Sequence, residues 1–413
     1  MKKQDVARTV LASALAVALT ACGGGGGGGG IRPSTPAAPP VTSPPPPPPP
    51  TSPPPPVTTP TTPEPAIDAH LALTNARAAQ ALGFTGAGYR IGVIDTGINA
   101  NHPALQGRVS DSFIYVDPRT NNTAVGDVVG HGTVVAELAA GRAVGQWPGG
   151  IAPGAGLVSA RIISDRAPED DGSGDGNEVD GPLGLGPVHA DLISAGVRIM
   201  NNSWGGLYWN DPTVTNQIAQ EYRPFILSND GLVVFASGNE SRSQPSDTAA
   251  LPSQPGPNGT LPAADLERGW LVVGALDTAN PTQLASYSNA CGVAMRYCLV
   301  APGTSLFIDP DATAGNIRYF YGSGTSFAAP LVSGAAALVW QAFPYFNNDL
   351  CARPCWEPPP TWELRAWIRS SATACSTSAK QCWGRHASIG ARWMSMSRPC
   401  VRPGPTPSVA PVA

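Results

Sequence analysis

The sequence predicts an α/β fold in which a mostly parallel sheet carries helices on both faces. Three observations lead there. Short apolar runs rich in β-branched residues alternate with segments of helical period along residues 89–276, and strands separated by helices pair in parallel under cover on both sides. The first such strand ends in Asp95, an acid at a strand's carboxyl end, where open parallel sheets place their sites. Once the biased ends are set aside, about 285 residues remain in 66–350, enough for one large domain with its own core. The whole chain has 413 residues, among them 47 Gly and 46 Pro, and a formal net charge of -4, which gives no reason to expect a nucleic-acid partner.

The elements follow in order. Lys2, Lys3 and Arg8 precede an apolar run over residues 9–21 that is too short to span a bilayer and reads as an export signal. It closes Leu19-Thr20-Ala21-Cys22, which resembles the lipobox of bacterial lipoproteins. That resemblance implies a signal peptide over residues 1–22, acylation of Cys22 and a membrane anchor; the Gly after Cys22, where an Asp would divert sorting, points to the outer membrane. Residues 23–65 are a glycine tether followed by a stretch rich in Pro, Ser and Thr, a spacer without a core.

Residues 89–94 (Tyr-Arg-Ile-Gly-Val-Ile) form the first strand, and Asp95-Thr96-Gly97 is either a site or an ordinary turn. Gly130-His131-Gly132-Thr133 then opens a helix of small residues, with glycines on either side leaving the imidazole accessible; His70, His189 and His386 lack such a setting, and His102 shapes the loop after Asp95. A strand reaches Ile163, and residues 165–180 are an acidic, glycine-rich insertion; it lacks the fixed ligand pattern of a calcium loop, so a solvated loop is the expectation and a calcium site the alternative. A helix over 188–195 stops at Gly196. Strand 197–201, helix 214–229, strand 232–236 and strand 270–276 complete the alternation. Finally, Gly322-Ser-Gly-Thr-Ser-Phe-Ala-Ala-Pro330 places Ser326 at the start of a buried helix, with Gly322 and Gly324 supplying backbone conformations closed to other residues and Pro330 expected in the first turn. Taken alone, Ser326 could be no more than a helix cap.

Together these motifs resemble the subtilases, the subtilisin-like serine proteases: Val-Ile-Asp-Thr-Gly around Asp95, Gly-His-Gly-Thr around His131, Ser-Gly-Asn around Asn239, and Gly-Thr-Ser-Phe-Ala-Ala-Pro around Ser326, in the family's order of Asp, His, Ser. The resemblance implies a subtilisin-like fold over residues 66–350 and an endopeptidase acting on proteins or peptides; no cofactor is expected, calcium at the acidic insertion aside. It makes Ser326 the nucleophile, His131 the general base and then acid, Asp95 its orienting carboxylate and Asn239 a donor to the oxyanion. Ser203, Trp204 and Gly205 become an edge that pairs with extended substrate, and Ala236, Ser237 and Gly238 the floor of the first specificity pocket.

The lipobox, the glycine tether and Cys291 through Cys298 resemble more closely the passenger domains of autotransporter subtilases of Gram-negative bacteria, which implies display at the outer membrane or cell surface, or release from it. Cys291 and Cys298 can close a small disulfide loop in an exported protein. No repeated strands of a barrel follow Val339, and residues 66–88 are too short for a separate inhibitory prodomain. Two other functions compete. A displayed binding module that keeps the fold is opposed by the intact set of four residues; an esterase would need a Gly-x-Ser-x-Gly elbow with Ser before His.

Residues 351–413 change character, holding five of the eight cysteines and five of the ten tryptophans. Cys351, Cys355, Cys375, Cys382 and Cys400 are odd in number and lack paired ligand spacing, which counts against a disulfide-rich or metal-binding appendage. The segment reads as a frameshift product: a permitted codon choice for residues 369–381, moved by one base, yields Gly-Tyr-Gly-Leu-Leu-Asp, which resembles the close of subtilase domains. A chain so altered would lack its last core helix and be weakly active or inactive.

Overall fold

The computed structural model describes residues 64–166, 184–205, 207–209 and 211–352. Seven parallel strands form one sheet in the order β2-β3-β1-β4-β5-β6-β7: β1 (Arg90–Asp95), β2 (Val109–Ile114), β3 (Gly156–Arg161), β4 (Ile199–Asn202), β5 (Leu232–Ala236), β6 (Trp270–Leu276) and β7 (Cys298–Pro302). A two-stranded antiparallel hairpin, β8 (Thr304–Ile308) with β9 (Tyr319–Ser323), lies apart from it.

Period-two side-chain alternation builds a core on each face. Ile91, Val93, Val234, Leu271 and Val273 point to one side, beneath the helices His131–Ala140 and Thr325–Ala342; Ile94, Val233, Phe235, Trp270 and Val272 point to the other, beneath Gly186–Ser194 and Thr213–Arg223. These helices are α3, α6, α4 and α5, after two short N-terminal ones, α1 (Ala69–Leu73) and α2 (Ala76–Ala81). The predicted α/β class with helices on both faces is therefore the observed one. Each expected strand and helix appears within a few residues; α5 continues into a π turn, Pro224–Ser228, which completes the expected 214–229 segment.

Position matters most at β1. The chain leaves β1 for β2 and β3 on one side and returns as β4 on the other, so β1 and β4 meet at a switch point, where parallel sheets open a crevice. The register Ile94↔Asn202↔Phe235 brings Asp95, Ser203 and Ala236 to the same level on the carboxyl edge.

One boundary differs from that read in the sequence. Residues 66–88 pack on the domain through Leu71 and Ala76, as the expected start at 66 requires, but a short helix α7 (Asn348–Ala352) runs across the expected end at 350, with Cys351 and Ala352 buried in the core. The export signal, the spacer up to residue 63, most of the acidic insertion and the remainder of the cysteine-rich tail lie outside the described residues.

Candidate active site

Asp95 is the last residue of β1 and fully buried. Its Oδ1 accepts hydrogen bonds from the Thr96 amide at 2.7 Å and from His131 Nδ1 at 2.7 Å, so the imidazole is held in the tautomer that leaves Nε2 for other work. His131 is the first residue of α3. Its flanking glycines serve a different purpose from the accessibility expected of them, since the imidazole side chain is only 11% exposed. A Cβ on Gly132 would run into the Gly97 carbonyl oxygen and come within 3.0 Å of Asp95 Cβ; on Gly97, whose φ is +114°, it would meet the Gly126 carbonyl. Glycine is required so that two backbones can touch. The contact is reinforced by the Gly132 amide donating to Thr96 Oγ1 at 2.9 Å.

Sequence reasoning missed Asp127. Its Oδ1 accepts from the Gly130 amide at 2.8 Å and its Oδ2 from the Thr133 amide at 2.9 Å and the Thr133 hydroxyl at 2.6 Å. A carboxylate there satisfies amides that the first turn of α3 leaves without helical partners and complements the helix dipole. An Asp a few residues before a helical run was the available signal.

Ser326 is the second residue of α6 and 7% exposed, so it does not serve as the helix cap; Gly324 occupies that position. The glycines around it provide room instead of unusual conformation, for Gly324 is extended at φ 164°. A Cβ on Gly322 would strike the rings of Phe307 and Phe327 at 2.6 and 2.7 Å. A Cβ on Gly324 would stand 3.6 Å from the Ser326 amide nitrogen and 3.7 Å from Asn239 Nδ2, so both expected oxyanion donors border one small space. The orientation of Asn239 follows from its other end: its Oδ1 accepts from the Thr325 amide at 2.8 Å and hydroxyl at 2.9 Å, which turns the NH₂ group toward that space. Pro330 departs from expectation. It is the sixth residue of α6, well inside the helix.

The expected substrate edge places Ser203 and Trp204 with buried side chains, 0% and 2% exposed. Trp204 packs edge-on against Phe235, with ring centroids 5.0 Å apart, so backbone and not side chain is what 203–205 can offer an extended partner. Ala236 and Ser237 are buried too, and the Ser237 hydroxyl donates to the Asn289 carbonyl at 3.1 Å. A Cβ on Gly238 would meet Asn289 Nδ2 and come within 2.6 Å of Glu240 Oε2. Glu240 is the sequence neighbour of Asn239, and Tyr208 donates its hydroxyl to Glu240 at 3.3 Å under the Arg242 guanidinium, 4.1 Å from the ring centroid. Burial first, then the Glu240 charge, pushes the Tyr208 phenol up to about 12. This polar wall was not read from the sequence.

The other described histidines are structural. His102 Nε2 donates to the Asp309 carbonyl at 3.1 Å, His70 Nε2 to the Gly149 carbonyl at 2.9 Å, and His189 Nδ1 to the Glu221 carbonyl at 2.8 Å. Cys291 and Cys298 form a disulfide. Among the described residues no group of three or more His, Cys, Asp or Glu is arranged to hold a metal, and Asp165, at the stem of the acidic insertion, instead pairs with buried Arg161.

Comparison with known proteins gives the following. The sequence pattern of the subtilase family (Peptidase S8) matches residues 86–385. A probable subtilase-type serine protease of Deinococcus radiodurans is 28% identical over 317 residues, covering 69% of this chain and 38% of that protein. The Neisserial autotransporter lipoprotein NalP of Neisseria meningitidis is 25% identical over 362 residues, covering 68% and 31%. Subtilisin of Bacillus pumilus is 30% identical over 267 residues, covering 64% of this chain and 82% of the enzyme. The solved structure of the MycP3 protease from the type VII (ESX-3) secretion system is 26% identical with a TM-score of 0.50, covering 72% of this chain and 83% of that one. The chain spans roughly a third of the length of the first two of these relatives, 38% and 31%.

Proposed function

The chain belongs to the subtilase family, and from that premise we propose that it is a serine endopeptidase that hydrolyses peptide bonds in proteins through Ser326, His131 and Asp95. The observation that carries the reading is the pairing of two held geometries: the Asp95–His131 hydrogen bond of 2.7 Å, and an Asn239 amide whose oxygen is occupied by Thr325 so that its NH₂ faces the space beside the Ser326 amide.

In this reading Ser326 Oγ attacks the scissile carbonyl carbon as its proton passes to His131 Nε2, and the carbonyl electron pair moves onto oxygen. Asn239 Nδ2 and the Ser326 amide donate to that oxyanion, while Asp95 stabilises the imidazolium. The C–N bond then breaks as His131 returns the proton to the leaving amine. Water, deprotonated by the same imidazole, attacks the acyl-enzyme, and its collapse restores the Ser326 hydroxyl. The substrate backbone lies along 203–205, and its first side chain enters over Ala236, Ser237 and Gly238, with Glu240 and Tyr208 close by.

Export and lipid anchoring at Cys22 complete the proposal and rest on the signal and lipobox of residues 1–22; they are supported by the likeness to NalP, itself named an autotransporter lipoprotein. Among the described residues no helix is long and apolar enough to cross a membrane.

The test uses the purified 413-residue chain with casein and a fluorophosphonate probe. Casein cleavage and labelling at Ser326 are expected, both lost in Ser326→Ala by about four orders of magnitude or more while the thermal transition is retained. A parent chain that is folded yet neither cleaves nor labels overturns the reading and leaves an inactive truncated product or a binding module on the same fold. Fatty-acid labelling of the wild type equalled by Cys22→Ser would refute the anchor.

A further inference from the structure

The interior position of Pro330 leaves a vacancy in the hydrogen bonding of α6. In a regular helix the carbonyl of residue 326 accepts from the amide of residue 330, and proline has none. That carbonyl belongs to the nucleophile itself, in a buried stretch where an unpaired acceptor is costly. The structure fills it from another element: the Ser203 hydroxyl, 123 residues away in sequence, donates to the Ser326 carbonyl at 2.8 Å. Ser203 Oγ in turn accepts from Asn201 Nδ2 at 2.8 Å, and Asn201 Oδ1 accepts from the Ser333 hydroxyl at 2.8 Å. Asn201, Ser203 and Ser333 are all 0% exposed.

This chain of bonds starts on α6 at Ser326, crosses to the carboxyl end of β4 and returns to α6 at Ser333, seven residues on and therefore two turns down the same helix face. It straddles Pro330. The helix is thus fastened to the sheet on both sides of its own break, and the sheet end it is fastened to is level with Asp95 through Ile94↔Asn202.

We propose that Ser203 is a positioning residue for the nucleophile: its hydroxyl replaces the helical donor that Pro330 removes and so fixes Ser326 relative to His131. This rests on the triad reading above and adds a side-chain role to a residue first expected to meet substrate through its backbone. Small misplacements of reacting groups are expensive, with about 1 Å worth up to roughly a hundredfold in rate.

The experiment is a cycle of Ser203→Ala, Pro330→Ala and the double variant in the full chain. It is read by kcat and KM on a peptide ester, by the rate of fluorophosphonate labelling, and by thermal transition. Ser203→Ala is expected to lower kcat and the labelling rate together by about 10- to 100-fold with KM within about threefold, because the edge of backbone that would meet substrate is unchanged. Pro330→Ala gives residue 330 an amide that can donate to the Ser326 carbonyl, so adding Ser203→Ala in that background should cost less than about threefold. A merely structural serine would give losses that multiply and that follow the thermal transition. Parent-like kcat in Ser203→Ala, or an undiminished loss in the Pro330→Ala background, overturns the proposal. If Ser203→Ala alone does not fold, the double variant decides: folded and active supports the proposal, unfolded or inactive overturns it. Failure of the parent to label at Ser326 would instead strike the triad reading.

Discussion

The two halves of the site are held by different means. Asp95 and His131 are joined through backbone: Gly97, Gly126 and Gly132 let the loop after β1 and the start of α3 touch where any side chain would collide, and Asp127 caps the helix end. Ser326 and Asn239 are joined through side chains: Thr325 holds the Asn239 amide, and Ser203 and Asn201 hold the carbonyl that Pro330 strands. Backbone contact resists adjustment because only glycine fits. A hydrogen-bonded network can lose one member and relax, so the first half should fail abruptly and the second in steps.

The largest effect is expected where the backbone contact is denied. In Gly132→Ala the new methyl meets the Gly97 carbonyl and approaches Asp95 Cβ to 3.0 Å, so α3 must retreat and His131 must leave Asp95. An imidazole without its orienting carboxylate loses on the order of 10⁴-fold in kcat, and overpacking of this kind costs about 1–3 kcal/mol of stability. Casein turnover and a melting curve measure both, and parent-like turnover would show that the close approach is dispensable. Asn239→Ala removes the proposed oxyanion donor and leaves the Thr325 amide and hydroxyl without their acceptor. Its expected cost is about 10²- to 10³-fold in kcat, a size taken from subtilisin itself, with KM little changed. An increase in KM with kcat intact would move Asn239 from the oxyanion to substrate binding. Asp127→Ala should be milder, about 0.5–2 kcal/mol of stability from the lost cap, with kcat falling less than in Gly132→Ala because Gly132 and Thr96 still join the loops. Equal losses in the two variants would mean that the cap, and not the glycine contact, holds His131.

What the sequence disclosed follows the same division. Asp95 and His131 were legible because a strand end and a Gly-His-Gly turn are local patterns, and the strands were legible because both faces of the sheet are buried and their apolar runs are continuous. The reason for the glycines was not, since it lies in the Gly97 carbonyl on another loop. Around Ser326 the motif announced the proposed nucleophile but misplaced Pro330 into the first turn, and nothing local tied Ser203 to a carbonyl 123 residues on. Glu240 and Tyr208 escaped notice because their meeting depends on how the loops after β4 and β5 fold back. Ser203 and Trp204 were expected to meet substrate through their backbone, and the motif behind that expectation carries no word of their side chains, which turn inward.

The smallest expected effect concerns Glu137, the one acidic residue of α3. It is wholly buried on α3, and its Oε1 accepts from the Ile308 amide at 2.9 Å, tying the His131 helix to the β8–β9 hairpin. Burial holds its carboxyl well above the usual carboxylate range, with the Ile308 hydrogen bond opposing only in part. In the unfolded chain the same group ionises in the ordinary range. Above that range the folded state therefore binds more protons than the unfolded state, and stability falls as pH rises until the folded group also ionises. Its contribution is fully present below the unfolded pKa and is lost on the alkaline side, the reverse of a salt-bridged carboxylate. Glu137→Gln keeps an acceptor for Ile308 and removes the titration, so its thermal transition should vary less between about pH 5 and pH 8 than the parent's, whatever the offset between the two proteins. Parallel pH profiles for parent and variant would mean that Glu137 titrates alike in both states and that its carboxylate is solvated. The profile also tests the contrast between the halves, because a tie at the far end of α3 should move stability with pH while leaving the Asp95–His131 contact, and with it the pH dependence of kcat, in place.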